Sequence, residues 1–308
     1  MVVRRAILAA VIGVLAAPAL NAGSAGRPEC FGAASRDPEQ PCVNPALRYS
    51  VTPSPAAALN APNAPCESIP GGGPNRCSFG SPSADATESV ALIGDSHATH
   101  WRSAMLTVAS RNHWYGISIS RSGCPFTRAV PALPDSAGCV RWNKQVLAFL
   151  TNHPEIRTVV VSEHRGRVRA PPGADHRKVQ IAGYMAAWKA LPDSVTNLIV
   201  IRDTPYRRGR SGDCIVRAQQ RREEPGQVCA VPRSSALKSD PAATAALRVD
   251  DPRVSLVDMT HYFCSSTLCY PVIGGALVHK DTTHISLTYG LTLGPYLLRK
   301  INRVLGRR

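Results

Sequence analysis

Residues 91–101 read "ALIGDSHATHW", and the way this stretch is read decides the fold. A run of apolar residues stops at Gly94-Asp95-Ser96-His97, and a helical pattern begins straight after it. A short apolar run closed by a turn signal predicts a buried strand. The serine at the joint then has two readings. Just before a helix it is a good N-cap, its hydroxyl accepting from a backbone N–H of the first turn. At the carboxyl end of a parallel strand it is also where an open α/β sheet carries its site, held out as a nucleophile.

Working outward, the same texture recurs. "SVALIGD" (89–95), "YGISIS" (115–120), "TVVVS" (158–162), "NLIVIRD" (197–203) and "RVSLVD" (253–258) read as strands. "HATHWRSAMLTVASRN" (97–112) sets Trp101, Met105 and Val108 on one helical face. "VQIAGYMAAWKAL" (179–191) is a helix ending before Pro192, and "LTYGLTLGPYLLRKI" (287–301) is a closing helix. Strands that are apolar throughout and separated by helices predict an α/β fold. The expected form is a three-layer α/β/α sandwich with a mostly parallel sheet of about five strands. Residues 86–308 form this main domain. Residues 26–85, rich in Pro, Gly, Ala and Ser, read as a loop-like extension stapled by disulfides and packed on it.

The chain has 308 residues, with 44% hydrophobic and 19% charged, which is ordinary globular material. Its first 25 residues have the layout of a secretory signal: Arg4 and Arg5, an apolar run interrupted by Pro18, then small residues. Cleavage is expected after Ala22 or Ala25, an uncleaved membrane anchor being the alternative. The mature protein is therefore expected outside the cytoplasm: secreted, periplasmic or at the cell surface. Ten cysteines agree with export. They fall as close couples, and pairing each with its neighbour is the simplest connectivity: Cys30 with Cys42, Cys66 with Cys77, Cys124 with Cys139, Cys214 with Cys229, Cys264 with Cys269. No zinc-type spacing is present, and neither a metal nor a cofactor is expected. The formal charge is +15, with arginines dense at 202–222. Without a nucleic-acid motif, and in an exported protein, this charge predicts a solvated face or attraction to anionic cell-surface polymers rather than nucleic acid.

A serine hydroxyl needs a base, and a base needs an orienting acid. Both stand in "HKDTTHIS" (279–286), as Asp281 and His284. Their spacing puts them on the same side of a turn, so the carboxylate reaches Nδ1 and leaves Nε2 for the serine proton. His279 competes as base with poorer spacing. The oxyanion needs donors, and the Ser96 backbone N–H at a helix N-terminus is one. Gly123 in "SGCPF" can bring a second. Other residues read more blandly. Asp95 and His97 form a D-x-H without the companion motifs of a metallophosphoesterase. His100 reads as a surface histidine packed near Trp101, Asp203 as a turn residue at the cleft rim, and Trp142 as core.

"IGDSH" after the first strand and "DTTHIS" before the last helix together resemble the SGNH (GDSL-like) hydrolase superfamily. The chain is most similar to the extracytoplasmic SGNH domain fused to membrane acyltransferase-3 proteins of the O-acetylase type. "SGCPF", "CVRWNK", "IRDTPY" and "FCSSTLCYPVIGGALVHKDTTHIS" add to the likeness, in the family's order. The resemblance implies a flavodoxin-like sheet, Ser96 as nucleophile, His284 as base, Asp281 as its partner and Gly123 as the second-block glycine. One departure stands out: after the third strand the chain reads "VVVSEHRGR", without the asparagine that many relatives use as an oxyanion donor. Ser162, His164 and Arg165 are the residues able to replace it. The implied function is an extracytoplasmic O-acyl, chiefly acetyl, transferase with a cell-envelope or secreted glycan as acceptor. Its acyl groups would come from a separate membrane acyltransferase or a soluble donor. A carbohydrate O-acyl esterase with the same residues, or a non-catalytic glycan- or partner-binding module, are the alternatives.

Overall fold

The computed structural model describes residues 26–207, 209 and 211–307, so the signal segment expected at 1–25 lies outside the described residues. The elements that position the site are, in chain order, strands β1 (Glu67–Ser68), β2 (Arg76–Gly80) and β3 (Glu88–Gly94), helix α1 (Ser96–Arg111), β4 (Trp114–Ser120), α2 (Ser136–Thr151) and β5 (Ile156–Ser162). They continue with α3 (His176–Lys189), β6 (Asn197–Ile201), α4 (Pro241–Ala246), β7 (Val254–Val257) and α5 (Leu287–Val304).

One sheet runs in the order β1-β2-β4-β3-β5-β6-β7. Its five strands β4, β3, β5, β6 and β7 are mutually parallel and are the five expected from sequence. The other two come from the extension: β2 pairs antiparallel with β4, and β1 with β2. The stretch that reads as loop thus lengthens the sheet at one edge.

Alternation along β3 explains the three layers. Val90 and Leu92 point into one core, shared with Trp101, Met105, Leu293 and Leu297 of α1 and α5. Ala91 and Ile93 point into the other, shared with Trp142, Val146, Trp188 and Ala242 of α2, α3 and α4. Both faces of the central strands are dry, which is why β3, β5 and β6 carry consecutive apolar residues at 90–93, 159–161 and 198–201. Helices α1 and α5 approach closely because Gly290 and Gly294 face Ser103 and Thr107. A Cβ at Gly290 would fall 1.9 Å from Ser103 Oγ.

The cysteines form five bridges, Cys30–Cys42, Cys66–Cys77, Cys124–Cys139, Cys214–Cys229 and Cys264–Cys269. The extension also reaches across to the last helix. Ala33 N–H donates to Thr292 Oγ1 at 3.0 Å, and Arg299 pairs with buried Asp37 at 2.6 Å. Among the described residues no helix is long and apolar enough to cross a membrane.

Candidate active site

The joint between β3 and α1 is built around Gly94 and Asp95. Gly94 has φ 149°, a backbone conformation rarely adopted by side-chain-bearing residues, and a Cβ there would lie 2.2 Å from the Ser162 carbonyl oxygen. Only glycine lets the strand end this close to β5. Asp95, not Ser96, is the helix cap. Its Oδ1 accepts from His97 N–H at 2.8 Å, and its Oδ2 accepts from His164 N–H at 3.0 Å. One carboxylate therefore caps α1 and ties it to the loop after β5. Ser96 becomes the first residue of the helix, half-buried, with its hydroxyl released from capping duty.

The loop before α5 delivers the second half. Asp281 Oδ2 accepts from His284 Nδ1 at 2.8 Å, while Asp281 Oδ1 accepts from the backbone N–H groups of Thr283 (2.9 Å) and His284 (2.8 Å). Partial burial works to raise the Asp281 carboxyl, but these three bonds override it and hold it well below the usual carboxylate range. The loop is fixed behind by Ser286, which caps α5 at Tyr289 N–H and donates to the Leu277 carbonyl. The His284 ring rests against the first turn of α1, 5.1 Å from the His97 ring and 5.8 Å from that of His100, centroid to centroid. Asp281 and His284 are thus bonded to each other beside the turn that Ser96 opens. Among the described residues no hydrogen bond joins Ser96 to His284; such contacts commonly close only with substrate bound.

Gly123 lies exposed in the turn after β4, with φ 69° and no atom within 3.7 Å of where a Cβ would stand. Of the candidates for the missing asparagine, Ser162 is buried. Arg165 lies over the Tyr206 ring at 3.7 Å, and the His164 imidazole is hydrogen-bonded to the Tyr206 hydroxyl. Burial and the nearby His97 hold His164 down at about 4, so it is a neutral imidazole at pH 7.

The structure also assembles groups that the sequence reading placed elsewhere. Asp203 is no rim residue. It is buried, and its Oδ1 lies 2.5 Å from His97 Nδ1. Burial opposes charge on His97, yet the Asp203 carboxylate raises the imidazole above its ordinary value. Asp203 is in turn aligned by its own N–H, which donates to Asp240 Oδ2 at 2.8 Å. His100 is not on the surface but buried, 5.9 Å from Trp101. Burial, with His97 and His284 beside it, pushes it well below its usual value. Glu163 is buried too. Burial and neighbouring Asp95 drive its carboxyl well up, and its Oε1 accepts from Phe126 N–H at 2.9 Å. His279 is fully buried at about 3, and Trp142 is core. No local spacing reveals the His97–Asp203 pair, because its members lie 106 residues apart and meet only through strand order.

Cavities of about 570 Å³ among residues 83–89, 155–158 and 196–197 and of about 500 Å³ between residues 30–48 and 270–275 both lie away from Ser96, Asp281 and His284, so cavity size does not identify the site. Among the described residues no group of His, Cys, Asp and Glu is arranged to hold a metal ion.

Among solved structures, the chain is similar to the periplasmic domain of the Salmonella ser. Paratyphi A lipopolysaccharide acetyltransferase. The TM-score is 0.52 at 13% identity, over 72% of this chain and 85% of that one. At that identity the likeness shows the fold. No curated protein matches the chain. The family model "SGNH domain (fused to AT3 domains)" matches residues 62–299, a span that contains the β3–α1 joint, Gly123 and the Asp281–His284 couple, and the chain belongs to that family.

Proposed function

We propose that this protein is an extracytoplasmic O-acyltransferase that moves an acyl group, chiefly acetyl, onto a glycan hydroxyl through an acyl-enzyme on Ser96. The observation that carries the reading is the Asp281–His284 couple set against the turn where Asp95 has freed Ser96 from capping. In the first step Ser96 Oγ attacks the acyl carbonyl as His284 Nε2 takes its proton, Asp281 holding Nδ1–H. The oxyanion is met by the Ser96 N–H, helped by the α1 dipole, and by Gly123 N–H. Collapse expels the donor's alkoxide, which takes the proton back from His284. A glycan hydroxyl then attacks the acyl-enzyme, His284 removing its proton, and Ser96 is regenerated. A separate membrane acyltransferase is the proposed source of acyl groups. Export fits the five disulfides, which persist in oxidising compartments.

A second reading, carbohydrate O-acyl esterase, is favoured by one feature. The side chains of His284 and Asp281 are 26% and 33% exposed, so water reaches the acyl-enzyme readily. Both readings are tested by p-nitrophenyl acetate hydrolysis and by labelling with a serine-directed phosphonate, using oxidatively folded protein beside Ser96→Ala. Wild type is expected to release nitrophenol and to label, and the variant to do neither. Oligosaccharide acceptors then separate transfer from hydrolysis. A well-folded wild type that neither labels nor turns over would overturn the enzyme reading and leave a binding module.

A further inference from the structure

The loops at the carboxyl edge of the sheet carry a charge imbalance that the site chemistry does not use. Residues 121–135 and 163–175 together contain five arginines (121, 128, 165, 167, 169) and three acids (Asp135, Glu163, Asp175). Each of the three acids already has a partner within the chain. Asp135 pairs with Arg121 at 2.5 Å and caps α2. Asp175 caps α3 through Arg177 N–H. Glu163 is turned inward onto Phe126 N–H. Among the described residues no carboxylate forms an ion pair with Arg128, Arg165, Arg167 or Arg169.

Three of these arginines form a directed stripe. Residues 167–169 are extended and locked to the neighbouring loop: Ala132 N–H donates to the Arg167 carbonyl and Arg169 N–H to the Val130 carbonyl, each at 2.8 Å. Val168 between them is buried, so alternation sends the exposed Arg167 and Arg169 side chains outward together. His176 Nδ1 on the Val168 carbonyl (3.0 Å) and Gln180 on the Gly166 carbonyl brace the loop from α3. The inner end of the stripe is Arg165, stacked on Tyr206, whose hydroxyl meets the His164 ring 4.8 Å from His97. A solvated arginine face needs none of this bracing, and it has no reason to start next to His164, whose N–H is tied to Asp95 at the head of α1.

We propose that Arg165, Arg167 and Arg169 are the platform for an anionic glycan, one bearing carboxylates or phosphates, which they hold while its reacting oxygen lies at Ser96. This rests on the reading of Ser96 as the acyl-enzyme residue and adds the substrate class to it. Guanidinium forks match carboxylate and phosphate oxygens in pairs, and fixed forks lose little freedom on binding.

The test is binding to the full chain carrying Ser96→Ala, so that turnover plays no part. The probes are fluorescent oligogalacturonate and a neutral xylo-oligosaccharide of equal length, at low and high salt. Oligogalacturonate is expected to bind at least about tenfold tighter at low salt, the advantage shrinking as salt screens it. Arg167→Gln with Arg169→Gln should erase that advantage. Arg157→Gln with Arg248→Gln, which removes the same charge at the amino edge of the sheet, should keep it. Equal binding of the two probes, or equal loss in both double variants, would overturn the proposal. Thermal melting of each variant excludes unfolding as the cause. Competition against oligogalacturonate by polygalacturonate but not by polyphosphate assigns carboxylate as the recognised group, and competition by both assigns paired anionic oxygens of either kind. Failure of wild type to label with phosphonate while selective binding persists would strike the enzyme reading and spare the platform.

Discussion

Two His–Asp pairs stand at the start of α1, and they are built for different ends. Asp281–His284 is local, half-exposed and held by backbone N–H groups. Asp281→Asn is expected to leave the loop in place but to lose the tautomer and the charge that serve His284. Steady-state kinetics should show kcat reduced by roughly 10³–10⁴ with KM little changed. His97–Asp203 is buried and lies beneath the site. Because the folded imidazole is raised, its pair contributes stability fully below the unfolded value near 6.5, and loses it as pH rises through the folded value. Melting curves should therefore show Asp203→Asn most damaging near pH 6 and less so at alkaline pH. The first pair is legible in sequence because three residues of spacing fix its geometry. The second is not, since a histidine after a serine and an aspartate in "RDTP" meet only once β3, β5 and β6 lie side by side.

At the scale of elements, the site depends on how closely α5 lies against α1. Gly290 leaves room for Ser103, a buried residue whose hydroxyl donates to the His100 carbonyl at 2.7 Å. Gly290→Ala forces these helices apart or Ser103 out of its bond, at a cost of roughly 1–3 kcal/mol. Denaturant unfolding should show that loss, and adding Ser103→Gly should recover a large part of it. Activity should fall with stability, because the first turn of α1 carries Ser96. The five parallel strands could be read from sequence, since burial on both faces leaves a continuous apolar run in β3, β5 and β6, and β4 and β7 keep apolar residues at alternate positions. Strand β2, "RCSFG", could not. Only Phe79 of it is buried, and it lies among Pro and Gly residues that signal loop.

Across the whole molecule, buried histidines set the response to acid. His279, at about 3, and His100, pushed well below its usual value, stay neutral when folded but bind protons near pH 6.5 when unfolded. The unfolded chain thus holds more protons below pH 6.5, so stability falls as pH drops. Each such histidine contributes a slope of up to about 1.4 kcal/mol per pH unit. The melting temperature should decline steadily from pH 6.5 to 4, and His279→Gln should flatten the decline. A flat profile in wild type would contradict the burial of these rings.

The contact between the extension and α5 has a consequence for how the protein matures. Ala33 and Thr292 meet across 259 residues of chain, and Arg299 closes over Asp37. A polypeptide made amino end first presents the extension long before its partner helix follows. The early segment must wait, unpaired, until nearly the last turn of α5 has been made. The latch therefore shuts at the pace at which the chain is completed rather than at that of local folding. Under the proposed export, any stall leaves the chain open to proteases.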